Sequence, residues 1–258
     1  VQELNISAQD TTAYGTDRGK AELLQLLERL DTEISIPWMR VLYTYPAAID
    51  QRFLDFMAGA QRVLPYFDIP LQHGSAKILR AMNRPGTVDS QLKMIEQIRH
   101  TLPQAVLRST FIVGFPGETD NDFQELLDFL RAAELERVGV FTFSPEEDTP
   151  AYTMAGQVPG AVAKYRREQA MELQQAIAWK ANQRLVGTQQ PVLLEAYSDE
   201  GELVLEGRYW GQAPDVDGQV FIGRPDGPIQ LGTMANVKII EARPYDLVGE
   251  FPEGGDST

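Results

Sequence analysis

Residues 110–123, TFIVGFPGETDNDF, constrain the fold more than any other segment of the chain. Their β-forming residues run into Gly114, a Pro-Gly dipeptide typical of a turn follows, and Thr119 stands three residues before Asp122, a spacing that caps a helix. Apolar residues then recur at helical spacing. The segment therefore predicts a strand, a glycine turn and a helix. Such a turn lets a ligand approach the backbone at a strand's carboxyl end, although an ordinary βα turn has the same pattern.

The same alternation runs through the first 150 residues of the chain. Strands are predicted at residues 3–8, 38–43, 66–71, 106–113 and 138–143. Five strands separated by helices predict an α/β fold of repeated βα units on a parallel sheet. Five strands are too few for a closed eight-stranded barrel, so we expect a partial (β/α) barrel or an open sheet. In either fold the loops that follow the strands share one edge, where such folds keep their sites.

The remainder of the chain has a different sequence pattern. A long, highly charged helix is predicted at residues 163–186, and short strands separated by glycines follow it. These strands are predicted at residues 192–196, 203–207, 219–222 and 237–240. Their spacing indicates a small all-β barrel. We therefore divide the chain into a partial barrel (1–160), a connecting helix (161–186), a β-barrel domain (187–251) and a disordered tail (252–258).

Composition excludes several kinds of site. The 258 residues include no cysteine and only two histidines, His73 and His100, so no disulfide, thiolate metal site or cysteine nucleophile lies within this chain. No apolar run reaches the roughly 18 residues that a membrane span needs, and no secretory signal is visible, so we expect a cytoplasmic protein. The net charge of −14 argues against unaided binding to bare nucleic acid and suits a basic protein partner.

Three segments resemble the methylthiotransferase branch of the radical S-adenosylmethionine (SAM) enzymes. FIVGFPGETDNDF resembles the family's fifth barrel strand and its glycine-glutamate turn, and PYFDIPLQHGSAKILRAMNRPG resembles the fourth strand and the arm after it. GRYWGQAPDVDGQVFI with YDLVGEF resembles the TRAM domain. The resemblance implies a partial radical SAM barrel followed by a small, OB-like TRAM barrel.

Within that branch, AQDTTAYG, LYTYPAAID and YDLVGE are most similar to the RimO-type members. The resemblance implies a transferase that uses SAM and two 4Fe-4S clusters to add a methylthio group to an aspartate of small-subunit ribosomal protein twelve. The sister group modifies adenosine in transfer RNA, and a non-catalytic ribosome-associated binding module is a further alternative. We expect a monomer.

Charge bears on the choice between these substrates. Residues 187–258 contain 13 acidic and 4 basic residues, a net charge of −9. An acidic TRAM domain is a poor RNA surface but a suitable dock for a basic ribosomal protein. A merely solvated acidic face is the alternative.

The chain also departs from the family. Family members hold one cluster through a CxxxCxxC loop after the first barrel strand, and a second cluster through cysteines of a preceding domain. Both regions would lie upstream of Val1, and thiolates are the usual cluster ligands. We therefore interpret the chain as a carboxyl-terminal portion that lacks the cluster ligands and is inactive by itself.

The resemblance implies that SAM lies across the loops after the strands. The residues it implicates are Gln9, Asp10, Gln72, His73, Ser75, Arg84, Val113, Gly114, Glu118 and Phe143. The first two would hold the amino acid moiety, and the next three the ribose or a carboxylate. Val113 and Gly114 would leave room for adenine beside Phe143. Arg84 would clamp a carboxylate of SAM or of the substrate aspartate.

Five of these residues also have a structural alternative. Asp10 could cap its own turn with a neighbouring threonine, and His73 could be a satisfied structural histidine. Glu118 is expected mainly to hold its turn to the following helix. Phe143 could belong to the core, and Arg84 could form a surface ion pair.

Overall fold

The computed structural model describes residues 1–84, 86–198, 204–223 and 229–252. Strands and helices alternate through the first part of the chain. They are β1 (Glu3–Ile6), α1 (Leu23–Glu33), β2 (Trp38–Val41), α2 (Gln51–Gly59), β3 (Tyr66–Asp68), α3 (Ala76–Ala81), α4 (Val88–Thr101), β4 (Val106–Val113), α5 (Asp120–Ala133) and β5 (Arg137–Thr142). All five predicted strands are present. The short helix α3 was not predicted.

All pairings among these five strands are parallel. β1 pairs with β2, and β3, β4 and β5 form a second sheet in that order. A bridge between Met39 and Val63 joins the two sheets, and the N–H of Met39 donates to the carbonyl of Arg62 at 2.8 Å. The expected partial barrel of parallel strands is therefore confirmed. We call the edge formed by the carboxyl ends of these strands, with the loops that follow them, the rim.

Local capping explains where the helices begin. The Asp50 side chain accepts a hydrogen bond from the N–H of Phe53 at 2.8 Å and opens α2. The predicted capping box of α5 is also present, because the Thr119 and Asp122 side chains each accept from the other's backbone N–H. The helices then bury their apolar faces, including Leu126 of α5, against the sheet, which contributes about 1.5–3 kcal/mol for each large side chain.

A long helix, α6 (Gly160–Gln183), leads to a closed five-stranded barrel, which we call the second barrel. Its strands are β6 (Gln189–Tyr197), β7 (Val204–Tyr209), β8 (Val220–Gly223), β9 (Met234–Ala242) and β10 (Leu247–Glu250). The small β-barrel expected from the sequence is confirmed. β10, which closes it between β8 and β9, was not predicted as a strand. The predicted start of a strand at Leu203, the turn glycines at 201 and 227, and tail residues 253–258 lie outside the described residues.

The second barrel packs on the amino-terminal ends of the parallel strands, at the end opposite the rim. Glu3, the first residue of β1, lies between two arginines: Arg40 Nε donates to its Oε1 at 2.9 Å, and Arg208 Nη2 to its Oε2 at 2.7 Å. Arg40 also donates to the carbonyl of Trp210 at 2.8 Å. Because Arg40 is fully buried, this ion-pair network is part of the junction's core.

A second polar contact lies beside this network. The Tyr66 hydroxyl donates to Asp217 Oδ2 at 2.6 Å, and Arg108 Nη1 donates to Asp68 Oδ1 at 2.8 Å. Burial, followed by the charge of Asp217, holds the pKa of Tyr66 well above its usual value. Tyr66 therefore remains the hydrogen-bond donor in this pair at neutral pH.

Helix α6 runs between the rim and the junction. Near its start Ala163 packs against the rim, and at its end Asn182 Oδ1 accepts from Arg137 at 3.2 Å and its Nδ2 donates to the carbonyl of Arg243 at 3.0 Å. Its most buried side chains are small or polar, whereas the Leu173 and Ile177 expected to face the core are only partly buried against it. No helix in the described ranges is long and apolar enough to cross a membrane.

Candidate cofactor site at the rim

Backbone hydrogen bonds join the loops of the rim into one row. After β1, the N–H of Thr11 donates to the carbonyl of Tyr43 at 3.1 Å. After β2, the N–H of Thr44 donates to the carbonyl of Asp68, the last residue of β3, at 2.9 Å. The loops that follow β1 and β2 therefore lie side by side at the ends of neighbouring strands.

The row continues across the second sheet. The N–H of Gln72 donates to the carbonyl of Thr110, and the N–H of Ile112 donates to the carbonyl of Gln72, both at 2.9 Å. The N–H of Phe143 then donates to the carbonyl of Val113 at 2.8 Å. The segments that carry Gln9, Gln72 and Gly114 thus follow one edge of the fold.

Three successive strand ends carry a residue in the left-handed backbone region. These are Tyr43 (φ 56°), Gln72 (φ 73°) and Gly114 (φ 78°). Non-glycine residues rarely adopt this conformation, and it is found preferentially at functional sites. Tyr43 was missed by the sequence reasoning because nothing in its local sequence indicates a positive φ. Its N–H donates to Asp68 Oδ2 at 3.1 Å, and its ring remains half exposed at the rim.

The turn after β4 is held from both of its sides. Glu118 Oε2 accepts from the backbone N–H groups of Gly114 and of Phe115, the latter at 3.2 Å. Arg166 of α6 donates to the Glu118 carbonyl at 3.2 Å, and its Nη1 lies 3.5 Å from Glu118 Oε1. A Cβ added to Gly114 would collide with the Cβ of Ala163. The close approach of α6 therefore requires glycine at this position.

His73 and Ser75 lie beneath this turn with no exposed surface. His73 Nδ1 accepts from the N–H of Ser75 at 2.9 Å, so a neutral His73 carries its proton on Nε2, which lies 3.7 Å from Glu118 Oε1. Ser75 Oγ donates to Asp122 Oδ1 at 2.8 Å. His73 is therefore buried, but it is not fully satisfied, because its Nε2 and Glu118 Oε1 have no hydrogen-bond partner in the described part of the chain. The hydrogen bond to Asp122 gives Ser75 a role in positioning the turn.

Asp122 joins the two loops electrostatically. Its carboxylate also accepts from Lys77 Nζ at 2.6 Å and from Thr119 Oγ1 at 2.6 Å. Burial of Asp122 acts to raise its pKa, but the hydrogen bonds from Lys77, Thr119 and Ser75 together outweigh burial and hold the pKa far below its ordinary value.

Replacing Asp122 by asparagine is expected to lower the free energy of unfolding by about 2 kcal/mol at pH 7, because it removes charge-assisted hydrogen bonds. Since the carboxyl pKa is depressed in the folded state, its contribution is complete above the unfolded pKa of about 3.9 and is lost as pH falls toward the folded pKa. Urea denaturation at pH 7 and at pH 3 measures this. A D122N deficit of the same size at both pH values would contradict it.

The other predicted residues of the rim range from exposed to buried, and Gln72 is buried. Gln9 is exposed. Asp10 Oδ1 accepts from the N–H of Thr12 at 3.0 Å and from its hydroxyl at 2.5 Å, which is the turn considered as its alternative. Asp10 Oδ2 and the side-chain amide of Gln72 make no hydrogen bond within the described residues. Phe143 is half-buried and packs edge-on against Phe115 with ring centroids 5.1 Å apart.

Arg84 stands apart from this group. It is exposed at the mouth of a cavity of about 260 Å³ that lies between the loop after β2 and the start of α4. It makes no ion pair within the described part of the chain. Its surface ion-pair alternative is therefore not observed.

The residues present differ in their fit to the two implied cofactors. The described residues contain no cluster of three or more His, Cys, Asp or Glu side chains placed to hold a metal ion, and the chain has no cysteine, so they do not fit a 4Fe-4S cluster. The rim carries groups of the kinds that SAM would need. Asp10 Oδ2 could accept a hydrogen bond from an ammonium group, and the Gln72 amide could bind hydroxyl groups. The ring of Phe143 could pack against an adenine.

Comparison with known proteins agrees with this geometry. Residues 1–130 match the Radical SAM superfamily, and residues 186–251 match the TRAM domain. The chain is 43% identical over 256 residues to "Ribosomal protein uS12 methylthiotransferase RimO" of Syntrophotalea carbinolica, covering 99% of this chain and 56% of that protein. A protein of the same name from Synechococcus sp. is 46% identical over 259 residues, covering 98% and 54%. The chain thus spans about half the length of the curated relatives it matches.

A solved structure supports the fold alone. Coproporphyrinogen III oxidase (HemN) from Escherichia coli, described as a radical SAM enzyme, superposes with a TM-score of 0.53 and 14% identity, covering 81% of this chain and 53% of that one. The resemblance proposed from the sequence is confirmed. Because the matched region 1–130 makes up half of the 258 residues, the chain belongs to the radical SAM superfamily and carries a TRAM domain in its carboxyl-terminal part.

Proposed function

We propose that this chain provides the SAM-binding rim and the TRAM domain of a methylthiotransferase that modifies an aspartate of ribosomal protein uS12. The observation that carries the proposal is the rim itself, where left-handed residues end three neighbouring strands and Glu118 holds the turn after β4. The similarity to RimO proteins over nearly the whole chain supports the substrate and the reaction.

In this proposal the chain's residues bind and orient rather than exchange protons. Asp10 and Gln72 hold the polar groups of SAM, Phe143 flanks the adenine, and Gly114 lets α6 approach closely enough to fix the turn after β4. Bound SAM would supply the radical chemistry that gives the superfamily its name after one-electron reduction by an iron–sulfur cluster, which this chain has no cysteine to hold. Arg166, His73 and Ser75 act through Glu118 and Asp122, because their hydrogen bonds fix the turn that borders the pocket. No cluster is assigned to these residues.

The partner proposed for the TRAM domain is a basic ribosomal protein. The net charge of −9 over residues 187–258 supports attraction of such a protein and opposes RNA binding, which is why the transfer RNA alternative is less favoured. A ribosomal substrate implies a cytoplasmic location. We further propose that the protein acts as a monomer and that residues 1–160, 161–186 and 187–251 are its barrel, connector and TRAM domain.

Calorimetric titration of the chain with SAM tests the site. We expect saturable binding in the wild type and about tenfold weaker binding in Gln72→Gly, which keeps the left-handed backbone but removes a hydrogen-bonding amide. Gln97→Ala, which changes an exposed amide on α4, is the matched control and should bind SAM like the wild type. Absence of saturable heat in the wild type would remove the cofactor assignment and favour a non-catalytic binding module.

A further inference from the structure

The cavity at Arg84 is not lined by Asp10, Gln72 or Phe143, the residues that hold SAM in the proposed function. It lies on the rim between the loop after β2 and the first turns of α4. Its walls are mostly apolar and are formed chiefly by Tyr45, Pro46, Ile49, Pro70, Leu71 and Met94. A cavity of about 260 Å³ with apolar walls and a few polar groups has the character of a specific binding pocket, with room for a large side chain.

One polar group in this cavity lacks a partner. Gln91 of α4 is 6% exposed, and its Nε2 donates to the carbonyl of Leu71 at 3.2 Å. That hydrogen bond turns the amide so that Oε1 is buried with no hydrogen-bond donor among the described residues. A buried acceptor without a partner costs about 1–3 kcal/mol. Turning this amide towards the cavity would let Oε1 accept a hydrogen bond from an N–H group of an occupant.

A second polar group stands at the cavity's mouth. The Arg84 guanidinium is exposed and has no carboxylate partner within the described residues, although the chain carries 14 more acidic than basic residues. The positive end of the α4 dipole is next to it, because Ser90 and Gln91 in the first turn of α4 also line the cavity. Arg84 is therefore placed to receive a carboxylate from outside the chain.

The cavity adjoins the candidate cofactor site along the chain. Its wall residue Leu71 directly precedes Gln72, and Tyr45 stands two residues after the left-handed Tyr43. A polypeptide seated in the cavity would therefore continue along the same rim. This placement favours a segment of the protein substrate over an unrelated small molecule.

We propose that this cavity is a recognition pocket for the protein substrate. It receives an apolar side chain, the Gln91 amide turns so that Oε1 accepts the backbone N–H of that residue, and Arg84 pairs with a neighbouring aspartate or glutamate. The inference rests on the proposed function, because it takes a protein to be the substrate. In this proposal Arg84 and Gln91 determine which segment of the protein substrate is placed at the rim.

Overlapping twelve-residue synthetic peptides that span uS12 test this proposal. Each is labelled and titrated against the 258-residue chain by fluorescence anisotropy. We expect one window, containing an apolar residue beside an acidic one, to bind saturably, and Arg84→Ala to weaken it about tenfold. Replacing the peptide's acidic residue by its amide should weaken wild-type binding to a similar degree and should have little further effect in Arg84→Ala.

Two further variants separate recognition from folding and from general charge. Arg80→Ala removes another exposed arginine that has no ion pair in the described part of the chain and does not line the cavity, so it should leave peptide binding unchanged. Gln91→Met keeps the side chain's size, and its folding is checked by thermal melting before it is titrated. Equal weakening by R80A and R84A, or no binding window at all, would overturn the pocket proposal.

Calorimetry with SAM on the same samples separates the two proposals. Normal SAM affinity in R84A beside weakened peptide binding supports both. Normal SAM affinity with no peptide dependence on Arg84 overturns the pocket alone. Peptide binding that depends on Arg84 without any SAM binding supports the pocket and overturns the cofactor assignment.

Discussion

Replacing Glu3 by glutamine is expected to lower the free energy of unfolding by about 3 kcal/mol, which would make it one of the most damaging single changes in the chain. Glu3 accepts from Arg40 at 2.9 Å and from Arg208 at 2.7 Å, and all three side chains are at most 5% exposed. Arg208 keeps Glu195 as a partner, but Arg40 would have no anionic partner and would keep only two backbone carbonyls and its contact with the Tyr66 ring. The loss therefore comes from a buried cation without an anion.

Urea denaturation followed by tryptophan fluorescence measures this effect, because Trp38 and Trp210 both lie at the junction. Glu33→Gln is the matched control. It breaks an exposed pair with Arg29 at 3.0 Å, so it should change stability far less than E3Q does. If E3Q and E33Q lost the same stability, the junction network would not be the source of the effect.

Replacing Gly114 by alanine is expected to cost about 3 kcal/mol of stability and to weaken SAM binding. The φ of 78° makes any side chain unfavourable here by about 1–2 kcal/mol. Collision of the new Cβ with Ala163 adds an overpacking cost of about 1–3 kcal/mol, since α6 or the turn must shift. A shifted turn would no longer be aligned with Glu118 and Arg166.

Gly117→Ala provides the control for this variant. Gly117 has a similar φ of 83°, but an added Cβ would meet nothing within 4 Å, so only the backbone strain applies. Thermal melting and SAM calorimetry on G114A, G117A and the double variant G114A/A163G measure the two contributions. Because A163G removes the atom with which the new Cβ collides, we expect the double variant to be more stable than G114A. Equal melting points for G114A and G117A would show that the approach of α6 is unimportant.

The features predicted from the sequence are those set by local pattern. The strand-helix alternation was visible because each unit carries its own periodicity, and the Thr119–Asp122 capping box needs only residues three apart. β10 was missed because it is only four residues long and contains Gly249, so that pairing with β8 and β9 defines it rather than propensity.

The site was predictable only in part, for a related reason. Its position followed from the rule that parallel strands end at one edge, but the contacts that shape it join distant residues. Arg166 reaches Glu118 across 48 positions, and the positive φ of Tyr43 depends on Asp68. The burial of His73 likewise depends on how closely α5 approaches the loop after β3, where Gly74 faces the backbone of Leu126. No local signal encodes such distances.

The length of α6 has a consequence for how a partner could approach. At about 1.5 Å per residue, its 24 residues extend roughly 36 Å, more than the diameter of a small domain. The acidic second barrel is therefore far from the rim, at the opposite end of the molecule. A small compact polypeptide cannot bind to the second barrel and insert a side chain at the rim at the same time. We expect a partner that contacts both ends to use different regions for anchoring and for presentation.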